Sequence, residues 1–207
     1  MQPSIIICYL PCGRKTSSVA QGPSTKKTLL GGNDVILGGS YDYIDKVDVG
    51  AGGVSSITFS SIPSTYKHLQ IRGILRTNDT GSWNNQQIRF NSDTGSNYAF
   101  HTLSGDGSAA SATAATTQTS FNDFMRAASN SLTAGIFGVA IVDVLDYANT
   151  NKYKTLRALQ GGDSNGAGMV GITSGVWMST AAISTITINP SGGTAIQYSS
   201  FALYGIK

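Results

Sequence analysis

From residue 41 to residue 207, apolar side chains recur at every second position in short runs, and each run ends in a cluster of Gly, Asn, Asp or Ser. A period of two puts alternate residues on opposite faces of an extended chain, so the pattern points to half-buried β-strands. Ser56-Ile57-Thr58-Phe59-Ser60 places Ile57 and Phe59 on one face. His68-Leu69-Gln70-Ile71-Arg72 turns Leu69 and Ile71 inward and His68, Gln70 and Arg72 outward. Residues 87–91, 98–103, 153–159, 169–178, 183–188 and 196–204 continue the series. The run 41–49, closed by Gly50-Ala51-Gly52-Gly53, is expected to form a hairpin with 56–60. Residues 136–145 are apolar at odd and even positions alike, as in a central strand covered on both sides. Gly135, Gly138 and the β-branched Val and Ile favour strand over helix there. Residues 104–118 are expected to be a Ser/Ala/Thr/Gly loop outside the core, and 120–128 to be the one short helix. Roughly nine or ten strands with turns between them predict an all-β fold, an antiparallel β-sandwich or jelly-roll-like domain.

Composition supports the same class. All eleven acidic residues are Asp and none is Glu, so acids sit where turns are wanted rather than where helices are. Charged residues make up 12%, about half the usual share. A surface so poor in charge has little to oppose self-association, which suits a subunit of an assembly.

The chain divides near residue 40 into an extended N-terminal arm, 1–40, and the sandwich domain, 41–207. The arm holds Pro3, Pro11, Pro23 and the pairs Gly31-Gly32 and Gly38-Gly39, a density that breaks regular elements. It also carries the excess charge. Arg14, Lys15, Lys26 and Lys27 stand against Asp34, whereas the remaining ten bases balance ten acids. These four bases are the candidate partner contacts of the arm. They are spread out with no interleaved aromatics, which disfavours nucleic acid as the partner. No stretch approaches the ~18 apolar residues of a membrane helix. The run Ile5-Ile6-Ile7-Cys8-Tyr9-Leu10 is too short for a secretory leader and lacks preceding bases. Cys8 and Cys12 do not have C-x-x-C spacing and are too few to close a zinc site, so they read as free thiols.

Catalytic chemistry is not visible. His68 and His101, the only imidazoles, have no recognisable nucleophile partner, and there is no nucleophile elbow or phosphate-binding glycine motif. A glycosidase is poorly served by a chain without Glu or a clear carboxylate pair. The protein is therefore read as a non-enzyme without cofactor. Asn78-Asp79-Thr80-Gly81, Asn91-Ser92-Asp93-Thr94-Gly95 and Asp163-Ser164-Asn165-Gly166 offer oxygens to calcium, but each holds one carboxylate. Asx-turns account for them, and no metal is assigned. Trp83, in the polar stretch Gly81-Ser82-Trp83-Asn84-Asn85, is placed near a loop tip as a candidate sugar-stacking ring; Trp177 is assigned to the core.

Three segments carry a resemblance. They are residues 49–63, VGAGGVSSITFSSIP, running into Tyr66-Lys67-His68-Leu69; residues 90–98, FNSDTGSNY; and residues 198–207, YSSFALYGIK. Together they resemble a family of small β-sandwich structural proteins of tailed-bacteriophage virions. The resemblance implies a capsid decoration (cement) protein or a tail appendage, with no catalytic residues to carry over. The arm lies outside the matching segments. In the cement case the partners are the major capsid protein and further copies of the chain, as a homotrimer on the outer capsid surface. The arm then gains its order by lying against neighbouring polypeptides. In the tail-appendage case, exposed loops around Trp83 and 104–118 bind host glycans.

Overall fold

The computed structural model describes residues 27–30, 33–36 and 39–207. Within the arm, β1 (Lys27–Leu30) and β2 (Asn33–Ile36) form an antiparallel pair, Lys27 opposite Ile36 and Leu30 opposite Asn33. Proline and glycine content predicted no regular element there. However, the two residues between the strands are Gly31 and Gly32, the composition a two-residue hairpin connection asks for.

Residues 39–207 form a unit of their own, all strand and turn. Eight strands make one antiparallel sheet in the order β3-β14-β5-β10-β11-β12-β7-β8: β3 (Tyr41–Asp48), β14 (Ser200–Ile206), β5 (His68–Leu75), β10 (Gly138–Leu145), β11 (Lys154–Asp163), β12 (Gly168–Trp177), β7 (Tyr98–Gly105) and β8 (Ala110–Gln118). Four more make a second sheet in the order β4-β13-β6-β9: β4 (Ile57–Phe59), β13 (Ile186–Pro190), β6 (Trp83–Phe90) and β9 (Phe121–Ala128). The four-stranded sheet lies on one face of the eight-stranded sheet, with β9 crossing β10, β11, β12 and β7. The fold is an antiparallel β-sandwich with unequal layers.

Three expectations change. Strands β3 and β4 do not form a hairpin. β3 pairs with β14 in the large sheet and β4 with β13 in the small one, so the Gly50–Gly53 turn carries the chain between layers. The expected helix at 120–128 is the strand β9. Between Asn85 and Gln87 of β6 the ladder skips from Arg126 to Asn122 of β9, so two steps on one strand face four on the other. Asp123 at φ 60° sits in this bulge. The extra residues space Phe121, Phe124 and Met125 three and four apart, which imitates a helical face. Lastly, part of the expected 104–118 loop is the strand β8, laddered to β7 from Gly105↔Ala110 to Tyr98↔Gln118. Its small side chains are nearly all exposed, and only Ala115 packs against the core.

The core lies between the sheets. Trp177, Tyr98, Phe90 and Phe121 form an edge-to-face cluster with ring centroids 5.0–5.7 Å apart, completed by a 6.3 Å stack of Tyr98 on Trp177. Trp177 is 2% exposed, the core role expected of it. Phe121 fits because the facing residue of β12 is Gly175; a Cβ there would stand 2.5 Å from the ring. The same economy recurs where Gly205 receives Tyr66 and Gly73 receives Phe201.

Candidate interaction surface

The outer face of the large sheet is where the structure departs furthest from expectation. In β10 the residues Ala140, Val142 and Val144 point to the core, whereas Val139, Ile141 and Leu145 are exposed. The strand was expected to be covered on both sides. Among the described residues only the inner side is covered, because the four-stranded sheet is the sole second layer.

Register extends this exposure across the sheet. Ile141, Leu159, Ile172 and Leu103 stand in one row, strand by strand from β10 to β7. One step along the strands, Val139, Gly161, Val170 and Gly105 stand in a second row. Leu103, Leu159, Val170 and Ile172 are 51–59% exposed, a degree that isolated surface aliphatics reach but adjacent ones seldom do. The missing side chains at Gly161 and Gly105 leave a relief of knobs and hollows. One hollow, about 540 Å³, is lined by Ile74, Val139, Leu159, Gly161 and Val170 and reaches Arg72 and Ala202 on the side of β5 and β14.

The sheet beneath is held stiff from the inner side. Gln160 Nε2 and Thr173 Oγ1 both donate to the carbonyl of Asp123, at 2.6 and 2.7 Å. Toward β3 the apolar rows give way to a polar and aromatic margin. Gln70 Nε2 donates to Asp143 Oδ1 at 2.9 Å, Arg72 Nε donates to Gln70 Oε1 at 2.9 Å, and Arg157 lies 3.6 Å from Asp143. The Arg72 guanidinium also sits 5.8 and 5.6 Å from the ring centres of Tyr41 and Tyr204. At the opposite end of the strands stand Asp106, in the turn after β7, and Asp163, the last residue of β11.

Several titratable groups are shifted by their immediate surroundings. Hydrogen bonds from the Ala109 and Ser108 amides and the Ser108 hydroxyl hold Asp106 down to about 2. Lys152 and then Lys67 hold Asp146, in the turn after β10, down to about 2. For Asp93 burial pushes the carboxyl up, but bonds from Asn97, the Trp177 indole and the Gly95 amide outweigh it and leave it below the usual range. Burial drives the Tyr98 phenol to about 12. Burial also lowers Lys154, whose Nζ donates to the carbonyls of Asn149, Lys152 and Thr180. Asp106, with Asp163, lines an open hollow of about 650 Å³ at its end of the sheet.

Of the residues singled out by sequence, Arg14, Lys15, Lys26, Cys8 and Cys12 lie outside the described residues, and Lys27 is described only as the first residue of β1. Trp83 is not at a loop tip. It opens β6, half-buried, with its six-membered ring standing 2.3 Å from where a Cβ at Gly162 would be. That side of the ring is therefore taken by the protein's own large sheet. His68 is half-buried and its Nδ1 accepts the Asp146 amide at 2.9 Å, while His101 is exposed on β7. Two of the Asp/Asn clusters are Asx-type turns, with Asp93 Oδ1 accepting from Gly95 N and Asp163 Oδ1 from Asn165 N, whereas Asp79 Oδ1 accepts from the adjacent Thr80 N and Asn78 Oδ1 from the distant Thr194 N. Among the described residues no three His, Cys, Asp or Glu side chains gather as metal ligands.

Sequence reasoning missed the outer face. The signal lies in residues 136–145, apolar at odd and even positions alike, a pattern that double burial and an uncovered face share.

The molecule belongs to the all-β class as an antiparallel sandwich with one apolar sheet face uncovered among the described residues. Comparison with family models, curated proteins and solved structures finds no significant match to the chain.

Proposed function

We propose that this protein is a structural subunit of a tailed-bacteriophage virion, a capsid decoration (cement) protein displayed on the outer shell. The observation that carries the reading is the pair of apolar rows on the outer face of the eight-stranded sheet. A surface of that kind is costly in water and is made to be covered in an assembly. The phage resemblance supplies the kind of assembly. Its three segments fall at structurally demanding places: the crossover from β3 to β4, the Asp93 turn between β6 and β7, and the terminal strand β14.

In this reading the arm binds the major capsid protein. Extended backbone adds to strand edges or lies in grooves of neighbouring capsid subunits, and Arg14, Lys15, Lys26 and Lys27 meet acidic shell surface. Many weak contacts repeated over many copies then stabilise the shell. The test is occupancy on purified particles. Removing residues 1–40 should abolish binding to capsids while the domain stays folded by circular dichroism. Undiminished occupancy by the truncated chain would refute the arm's role, and only a few copies per particle would move the protein to the tail.

A tail-appendage reading is favoured by one observation, the half-exposed tyrosines Tyr41, against the Arg72 guanidinium that bonds Gln70, and Tyr43, edge-on to Tyr204. An aromatic ring flanked by hydrogen-bonding side chains suits a sugar. In that reading the glycan lies on this margin rather than on Trp83. Glycan-array binding lost in Tyr43→Ala and retained in Trp83→Ala would support it.

A further inference from the structure

The outer face of the large sheet is complementary to itself, and from this we infer that two copies of the chain pack face to face through it as an isologous dimer. The inference holds whether or not the protein belongs to a capsid. It rests on the positions of unlike side chains about one line across the sheet, the register line Ala140–Gln160–Gly171–Ser104.

Along β11 the knob Leu159 and the hollow Gly161 stand one step either side of Gln160. Along β7 the knob Leu103 and the hollow Gly105 stand one step either side of Ser104. On β10 and β12 the same positions hold Ile141 and Val139, and Ile172 and Val170, the larger residue always on the same side. A two-fold axis parallel to the sheet along this line, midway between two apposed copies, lays each strand antiparallel over its counterpart. The row Ile141, Leu159, Ile172, Leu103 of one copy then faces the row Val139, Gly161, Val170, Gly105 of the other. Large meets small across the interface, as interdigitated sheets about 10 Å apart require.

On β11 charge obeys the same symmetry, while on β5 the axis sets Arg72 against Ile74. Arg157 and Asp163 stand three residues either side of Gln160, both on the outer face of β11 and both exposed. The axis that places Leu159 over Gly161 also places Arg157 of one copy over Asp163 of the other, twice per dimer. Within one chain these two residues are about 20 Å apart along the strand, too far to pair. Arg157 is held only loosely at home, 3.6 Å from Asp143 with its side chain 67% exposed.

The area is sufficient. Five strands from β5 to β7 at about 4.8 Å, and seven residues at about 3.3 Å, span roughly 550 Å² in projection. Side-chain relief brings this toward the ~800 Å² per partner of a standard interface. A two-fold contact accounts for this face; a threefold would not bring the two rows together.

The test is sedimentation equilibrium on the full chain. The expected mass is twice the 21.6 kDa of one chain. Leu159→Asp, which buries a carboxylate at two symmetric places, should raise the dimer dissociation constant at least about 100-fold with an unchanged circular dichroism spectrum. Val170→Lys on the neighbouring strand serves if that variant does not fold. Arg157→Asp should weaken the dimer at least about tenfold, and adding Asp163→Arg should restore it. Such rescue acts only between chains. A wild-type chain that sediments as a monomer or trimer at 100 µM (about 2 mg/ml) would overturn the inference. So would a dimer indifferent to Leu159→Asp and Val170→Lys, or a charge reversal that the second substitution does not repair.

Discussion

The two faces of the eight-stranded sheet are made by the same strands, one residue apart. On β11, Leu156 and Ala158 point inward and are fully buried, while Leu159 between them and the turn is more than half exposed. On β12, Trp177 is buried and Ile172 is not. The inner face is apolar because a second sheet covers it, and its packing is specific: rings seat on glycines, and Gln160 and Thr173 reach across to Asp123. The outer face carries two apolar rows bordered by charged and polar side chains, and their relief matches nothing in the described part of its own chain. The difference separates what folds the domain from what the folded domain offers to others. Substitutions on the two faces should therefore fail in different ways.

The largest effect belongs to the inner face. Phe121→Ala leaves a cavity under Phe90, Tyr98 and Gly175 and should cost about 3–5 kcal/mol in urea unfolding. Gly175→Ala forces a Cβ to 2.5 Å from the same ring and should cost about 1–3 kcal/mol by overpacking. With the ring removed the added methyl has room, so the double variant should be less destabilised than the two single effects added. Strict additivity would mean that the ring and the glycine are not in contact, and the account of the core would be wrong.

The division between faces also explains what could be read from the sequence. Leu69 and Ile71, or Ile57 and Phe59, show their burial directly because alternation is a local property. The Asp79, Asp93 and Asp163 turns are equally local, since each carboxylate bonds an amide one or two residues away. Pairing is not local. Nothing in residues 41–60 distinguishes a hairpin from a crossover between layers, and the partners that decide it, β13 and β14, lie more than a hundred residues on. β9 was hidden by its bulge, which breaks the period of two. β8 was hidden because Ala, Ser and Thr alternate without contrast. The uncovered face was hidden for a different reason: an apolar residue looks the same whether its cover is in its own chain or in another.

Acid probes the charged turns at the two ends of the sheet. Asp106 and Asp146 lie in turns at opposite ends of the strands, both held at about 2, below the 3.8 of an ordinary aspartate. A carboxyl whose folded pKa is depressed stabilises the fold above its unfolded pKa and loses that contribution as pH falls through the folded one. Stability should therefore be level above about pH 5 and decline between pH 4 and pH 2. Asp146 is bridged to Lys152 and Lys67 near the surface, so its share should be about 1 kcal/mol or less. Urea unfolding at pH 5 and pH 2.5 measures the decline, and Asp146→Asn should reduce it. A collapse of the fold at pH 3 would mean that ion pairs, and not the covered face, hold the sandwich together.

The smallest effect on folding is the most discriminating. Leu159→Ser removes an aliphatic side chain from the middle of a central strand, a place where an ordinary core leucine would cost several kcal/mol. Here the side chain points outward, so unfolding extrapolated to high dilution should change by no more than about 0.5 kcal/mol. What should change is the dependence on concentration. A dimer that dissociates on unfolding gains apparent stability as protein concentration rises, and a chain with its interface spoiled does not. Urea midpoints for wild type and variant, measured over a hundredfold range of concentration, should converge at the dilute end and separate at the concentrated end. A gap that persists undiminished at the dilute end would place Leu159 in the fold of the single chain, and the two faces would no longer differ in kind.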